Sequence, residues 1–118
     1  MDRNISLIVY PVKHIARAKA FYEELLGVEP YVDSPYYVGF RVGDMEIGLD
    51  PNGHCKGMAG PIGYFTTGDI AQRLRTLVEA GAQIQQDVTD VGGGMLIAWV
   101  RDADGNLSGL RQAPRRIG

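Results

Sequence analysis

The chain has 118 residues and a single cysteine, Cys55. No disulfide can form within it, which fits a reducing compartment. Long apolar runs are missing as well. The two longest mainly apolar stretches, Ile5–Tyr10 (interrupted only by Ser6) and Met95–Val100, are too short for a signal-peptide core or a membrane span. Charge is nearly balanced, with 12 Lys and Arg against 14 Asp and Glu, a net charge of -2. That balance leaves no electrostatic footprint for nucleic acid. The one basic pair, Arg115-Arg116, sits at the tail and reads as a solvated end. A Ser-His-Asp arrangement, a P-loop and a dinucleotide fingerprint are all absent. Gly92-Gly93-Gly94 lacks the lysine and the following helix that a phosphate loop needs, and reads as a hairpin turn. These absences predict a cytoplasmic protein with neither nucleic acid nor membrane among its partners.

Apolar residues make up 45% of the chain and charged residues 22%, enough apolar material for one domain with its own core. Ile5 to Tyr10 reads as a buried strand. From His14 to Leu26 the apolar residues Ile15, Ala18, Phe21, Tyr22, Leu25 and Leu26 recur at gaps that predict one face of a helix. Gly27 follows as a C-cap. Tyr31 to Asp33 is extended, Tyr36 to Val42 a strand, Gly43-Asp44 a turn and Glu46 to Asp50 a further strand. The order then repeats. Ile62 to Thr67 is a strand, and Asp69 caps a helix whose apolar face is Ile70, Leu74, Leu77 and Val78, ending at Gly81. Ile84 to Val91, Met95 to Val100 and Leu107 to Arg111 complete the second set of strands.

A supersecondary unit used twice, at a spacing above 50 residues, predicts two modules and not a solenoid. The expectation is a single domain over 1–118, made of modules at about 4–52 and 61–112 and joined by the glycine-rich linker 53–60.

Specific motifs accompany this order. Val12-Lys13-His14-Ile15, Ala18, Ala20-Phe21-Tyr22 and Leu26-Gly27 resemble the opening signature of the vicinal oxygen chelate superfamily, and Asp102-Ala103-Asp104-Gly105-Asn106 resembles its closing "DPDGN". That superfamily includes glyoxalase I, extradiol dioxygenases, fosfomycin resistance enzymes and bleomycin-binding proteins. The resemblance implies an α+β fold: two βαβββ modules with curled mixed sheets forming a cleft and helices on the outer face. It fixes the fold far better than the reaction. It also implies four metal-ligand positions. In this chain they fall on Leu7, Gly48, Ile62 and Gly109, none of which offers a side-chain donor. The resemblance therefore implies a member without the metal site, and no cofactor is expected.

His14 stands at a helix start and reads as a surface or capping residue. His54 and Cys55 are adjacent and rarely suffice for chelation without partners. Beside Cys55 only Lys56 is basic, which argues against an activated thiol.

Strand alternation assigns faces. If Leu7, Gly48, Ile62 and Gly109 face the cleft, so do Glu46, Asp50, Tyr64 and Arg111. In the strand Tyr36–Val42, Val38, Phe40 and Val42 suit the helix side, leaving Tyr37, Gly39 and Arg41 for the cleft. Trp99 points inward while Ala98 and Val100 pack on the helix. The candidate ligand site is thus Tyr37, Arg41, Glu46, Asp50, Tyr64, Trp99 and Arg111: aromatic walls with two arginines and two carboxylates, widened by the missing side chains at Gly48 and Gly109. Such a pocket suits a small organic ligand. Blander roles stand beside each residue. Arg41 and Glu46 can form a cross-strand ion pair. Tyr37, Tyr64 and Trp99 can be core or interface aromatics, Asp50 can initiate a turn, and Arg111 can be solvated.

Three functions remain open on the sequence. The leading one is a metal-independent, homodimeric binding protein of the glyoxalase/bleomycin-resistance type that sequesters an organic, aromatic ligand in its cleft. The second is a lyase, isomerase or dioxygenase of the same superfamily. It would use a divalent metal bound by other residues, or acid–base catalysis by Glu46 or Asp50. The third is a partner-binding domain whose cleft is filled by its own side chains.

Overall fold

A computed structural model describes residues 4–114; the Arg115-Arg116 pair lies outside the described residues. Eight strands and two helices follow one another as β1 (Ile5–Pro11), α1 (Ile15–Leu26), β2 (Val32–Ser34), β3 (Tyr37–Val42), β4 (Met45–Asp50), β5 (Ile62–Thr66), α2 (Ile70–Glu79), β6 (Gln83–Asp90), β7 (Leu96–Arg101) and β8 (Leu107–Gln112), with a 3-10 turn at His54–Lys56 before β5. The architecture is the expected α+β one. Two compact units divide the described residues, one of Ser6–Gly63 and the other of residues 64–114 together with Asn4 and Ile5.

Within the first unit the strands run β2-β3-β4-β1. Neighbours β2, β3 and β4 pair antiparallel, and β4 returns parallel to β1. Val38, Phe40 and Leu49 are completely buried and form the core under α1. Ile15, Ala18, Tyr22 and Leu26 cover them from the helix. Their spacing explains why the other two large apolar residues of that helix are not part of the face. Phe21 and Leu25 each precede a core residue, and one position turns the helix surface by roughly 100°; they are 60% and 62% exposed. Gly27 ends the helix in the left-handed region at φ 71, its N–H donating to the Glu23 carbonyl.

In the second unit the order β5-β8-β7-β6 repeats that of the first in reverse, again with first and last strands parallel. Asp69 accepts the Gln72 N–H at 3.1 Å, capping α2 as its residue type predicts. The Gln112 side chain takes a further free helix N–H, that of Ile70, at 2.7 Å. Ile70 and Leu74 bury against Ala98, Val100 and Leu110. The helix stops at Glu79, two residues before Gly81, which adopts φ 109 in the connection.

Candidate functional site

In the first unit, β3 and β4 present Tyr37, Gly39, Arg41, Glu46, Gly48 and Asp50 on the face away from α1. The register sets Gly39 opposite Gly48 and Arg41 opposite Glu46. Two side-chain-free positions facing each other leave a trough, and Tyr37 lies in it. A Cβ at Gly48 would fall on the tyrosine hydroxyl and lie 2.6 Å from its Cζ; one at Gly39 would lie 3.2 Å from the other edge of the ring. The glycines therefore do not widen a pocket, as their sequence positions suggest, but seat an aromatic ring.

Beside this ring stands Tyr31, a residue the sequence reading did not select. Its hydroxyl donates to Glu46, and the Arg41 guanidinium lies 4.1 Å from its ring centroid. Arg41 and Glu46 thus meet through an aromatic ring set between them. Asp50 is 7% exposed. Its carboxylate accepts the Asn52 N–H at 2.8 Å and pairs with Lys56 at 2.8 Å, which commits it to the turn after β4.

The second unit repeats the device. Tyr64 on β5 pairs in register with Gly109 on β8, and Gly109 pairs with Trp99 on β7. The Tyr64 ring covers the glycine so closely that a Cβ there would lie 2.5 to 2.8 Å from its Cδ2, Cε2 and Cγ. Trp99 Nε1–H donates to the Tyr64 hydroxyl at 2.6 Å. Both rings are buried, so the bond satisfies two polar atoms that would be costly to leave unpaired. Arg111 is half-buried two residues beyond Gly109, on the same face. The structure therefore groups Tyr37, Arg41 and Glu46 in one unit and Tyr64, Trp99 and Arg111 on one face of the other.

The residues at the four implied metal positions do not fit a divalent ion. Leu7 and Ile62 are buried hydrocarbon, and Gly48 and Gly109 are each overlaid by a ring. His14 and His54 are exposed, as is Cys55. Among the described residues no group of three His, Cys, Asp or Glu side chains is placed to hold a metal ion. The Asp-rich stretch after β7 is a turn. Asp102 Oδ1 accepts the N–H groups of Asp104 and Asn106, and Oδ2 accepts from the Asn106 side chain. Gly105 supplies the left-handed residue at φ 86.

The Asn106 N–H and the Asn106 amide, opposed by desolvation and helped by the N–H groups of Asp104 and Gly105, hold the Asp102 carboxyl below its ordinary 3.8. A carboxyl depressed by folding stabilises the fold above its unfolded pKa, and that contribution is lost as pH falls through the folded value. We expect a carbon NMR titration to place the Asp102 midpoint below 3.8, and Asn106→Ala to raise it. A midpoint at or above the ordinary value in the unmodified protein would contradict this reading of the turn.

Among the described residues no helix is long and apolar enough to cross a membrane. No curated protein matches the chain. Solved structures share its fold. A hypothetical protein from Bacillus halodurans C-125 is 17% identical with a TM-score of 0.77, covering 100% of this chain and 99% of that one. NAD-dependent benzaldehyde dehydrogenase from Legionella pneumophila is 21% identical, with a TM-score of 0.74 and coverage of 90% and 96%. A variant of Streptomyces coelicolor methylmalonyl-CoA epimerase, in complex with 2-nitronate-propionyl-CoA, is 15% identical, with a TM-score of 0.72 and coverage of 98% and 100%. At these identities the likeness is one of fold. The family model for the glyoxalase/bleomycin resistance protein/dioxygenase superfamily matches residues 4–109, nearly all of the described chain, and the protein belongs to that superfamily.

Proposed function

We propose that this protein is a metal-independent small-molecule binder of the glyoxalase/bleomycin-resistance type, which sequesters an organic, aromatic ligand on the sheet faces turned away from its helices. One observation carries the reading. At both glycines where the resemblance implies a metal-binding carboxylate, a tyrosine ring lies across the backbone instead. The site chemistry supported there is stacking, with Arg41 and Glu46 held at the neighbouring Tyr31 to orient polar groups. Calorimetry against a panel of aromatic acids and amines, with Trp99 fluorescence in parallel, tests it. At least one compound should bind saturably, and Tyr37→Ala should weaken that binding about tenfold, the size of one lost aromatic stack. A panel without any saturable, Tyr37-sensitive binder overturns the proposal.

A second reading, a lyase or isomerase of the same superfamily, is favoured by the Tyr31–Glu46 hydrogen bond, which joins a proton donor to a carboxylate. The fold shared with methylmalonyl-CoA epimerase is compatible with it. Elemental analysis of the purified protein separates a metal-dependent form of this reading from both others, since stoichiometric Zn, Ni, Fe or Mn would sink the ligand argument made above.

A further inference from the structure

We propose that the second unit carries a separate binding site, on the helix side of its sheet, for a small amphipathic carboxylate with an apolar body and one anionic head. A cavity of about 300 Å³ lies there, walled by Phe65, Leu77, Ala82, Val100 and Leu110. Its origin is local. Helix α2 packs over β6, β7 and β8, and the buried core beneath it is built from α2, β7 and β8 without a residue of β5. Phe65 on β5 is left 38% exposed as the outer wall. Ala82 and Ser108, also in the lining, are too small to close the gap. The volume lies at the lower end of the range for small-ligand sites, and walls of this composition favour hydrocarbon over water.

The charge at the lining selects the head group. Arg73 and Leu77 are four residues apart on α2, so both project along one side of the helix, and both line the cavity. Arg73 is half-buried as a residue, and among the described residues its guanidinium has no ion-pair or hydrogen-bond partner. The one carboxylate of the lining, Asp102, has both oxygens engaged by its own turn. The open valence is therefore cationic, and a guanidinium pairs best with a carboxylate in bidentate geometry. This site is distinct from the stacking surface proposed above, because its apolar walls and Arg73 belong to the helix side of the sheet, although Thr66 and Gly109 also line it.

The test is an amide NMR titration of the whole protein with octanoate and, in parallel, with the uncharged 1-octanol. Octanoate should bind saturably, with shifts centred on Phe65, Leu77, Ala82 and Val100. Arg73→Gln should weaken octanoate about tenfold or more while leaving 1-octanol unchanged, and Ala82→Leu, which fills the cavity, should weaken both. The absence of saturable shifts, or shifts centred on Trp99 and Tyr37 instead, overturns the site. Equal responses of octanoate and 1-octanol to Arg73→Gln overturn the anionic head. Tyr37→Ala should leave octanoate binding unchanged, which keeps failure of this proposal distinct from failure of the stacking one.

Discussion

Phe40→Ala is expected to lower the free energy of unfolding by about 3–5 kcal/mol. Phe40 is completely buried on β3, opposite Ile47 of the neighbouring strand and clustered with Val38 and Leu49. Truncation removes the transfer energy of a phenyl ring and leaves a cavity that a sheet, pinned by its ladder bonds, relaxes around only in part. The position also matters for the helix. No residue of α1 is fully buried, so the helix is held by partly covered side chains resting on Val38, Phe40 and Leu49. Removing the largest of these supports should loosen α1 before the sheet. Urea denaturation measures the first effect, and faster hydrogen exchange in Ile15–Leu26 than in β3 and β4 measures the second. A loss below about 1 kcal/mol would mean that the core is built differently from this description.

The second large effect is a contrast between two glycines of apparently equal standing. Gly109→Ala should cost about 1–3 kcal/mol, and Gly48→Ala clearly less. Neither glycine has positive φ, so both backbones accept alanine and the difference is one of space. At Gly109 the new methyl meets the Tyr64 ring down to its Cγ, near the backbone, where the ring cannot swing clear. Tyr64 is also 5% exposed and tied to Trp99. At Gly48 the conflict is with the hydroxyl end of Tyr37, the far end of a half-buried side chain, where a small shift relieves more than it can at a ring's Cγ. Parallel thermal melts decide the matter. Gly109→Ala should lose on the order of 10 °C and shift the emission of the single tryptophan as its bond to Tyr64 breaks. Equal melting temperatures for the two variants would remove the argument. Combining Gly109→Ala with Tyr64→Ala should show strong non-additivity, since the second change removes the atoms that the first one strikes.

Much of the fold was legible because its signals are local. The i, i+3, i+4 spacing of Ile15, Ala18, Tyr22 and Leu26 marked α1, Gly27 marked its end and Asp69 the start of α2. Alternation placed Val38 and Phe40 on the helix side and Tyr37, Arg41 and Trp99 on the other. The site was less legible, because alternation gives a side chain's face and not its direction along that face. Tyr37 and Tyr64 could be assigned to the open side, but their lying across glycines depends on strand register. A usable signal did exist: glycine and tyrosine recur on strands that pair, and aromatic side chains commonly cover strand glycines. Tyr31 escaped notice for a related reason. It precedes a three-residue edge strand, too short for its pattern to fix what it faces, and the bond from its N–H to the Gly39 carbonyl extends that pairing and sets it beside Arg41 and Glu46. The cavity beneath Phe65 had no sequence signal, since it arises from the offset between α2 and β5.

The two ring-over-glycine pairs also constrain which sequences lie within reach of this one. A carboxylate placed at Gly48 or Gly109 enters a volume already held by a tyrosine, while shortening the tyrosine first opens a gap in a paired strand. Each change alone is a loss, and only the combination relieves it. Single substitutions therefore lead downhill from either side, and a descendant with metal-binding carboxylates on these strands would have to cross a stability valley in each half of the molecule. The valley should be deeper at Gly109, where the ring cannot swing aside.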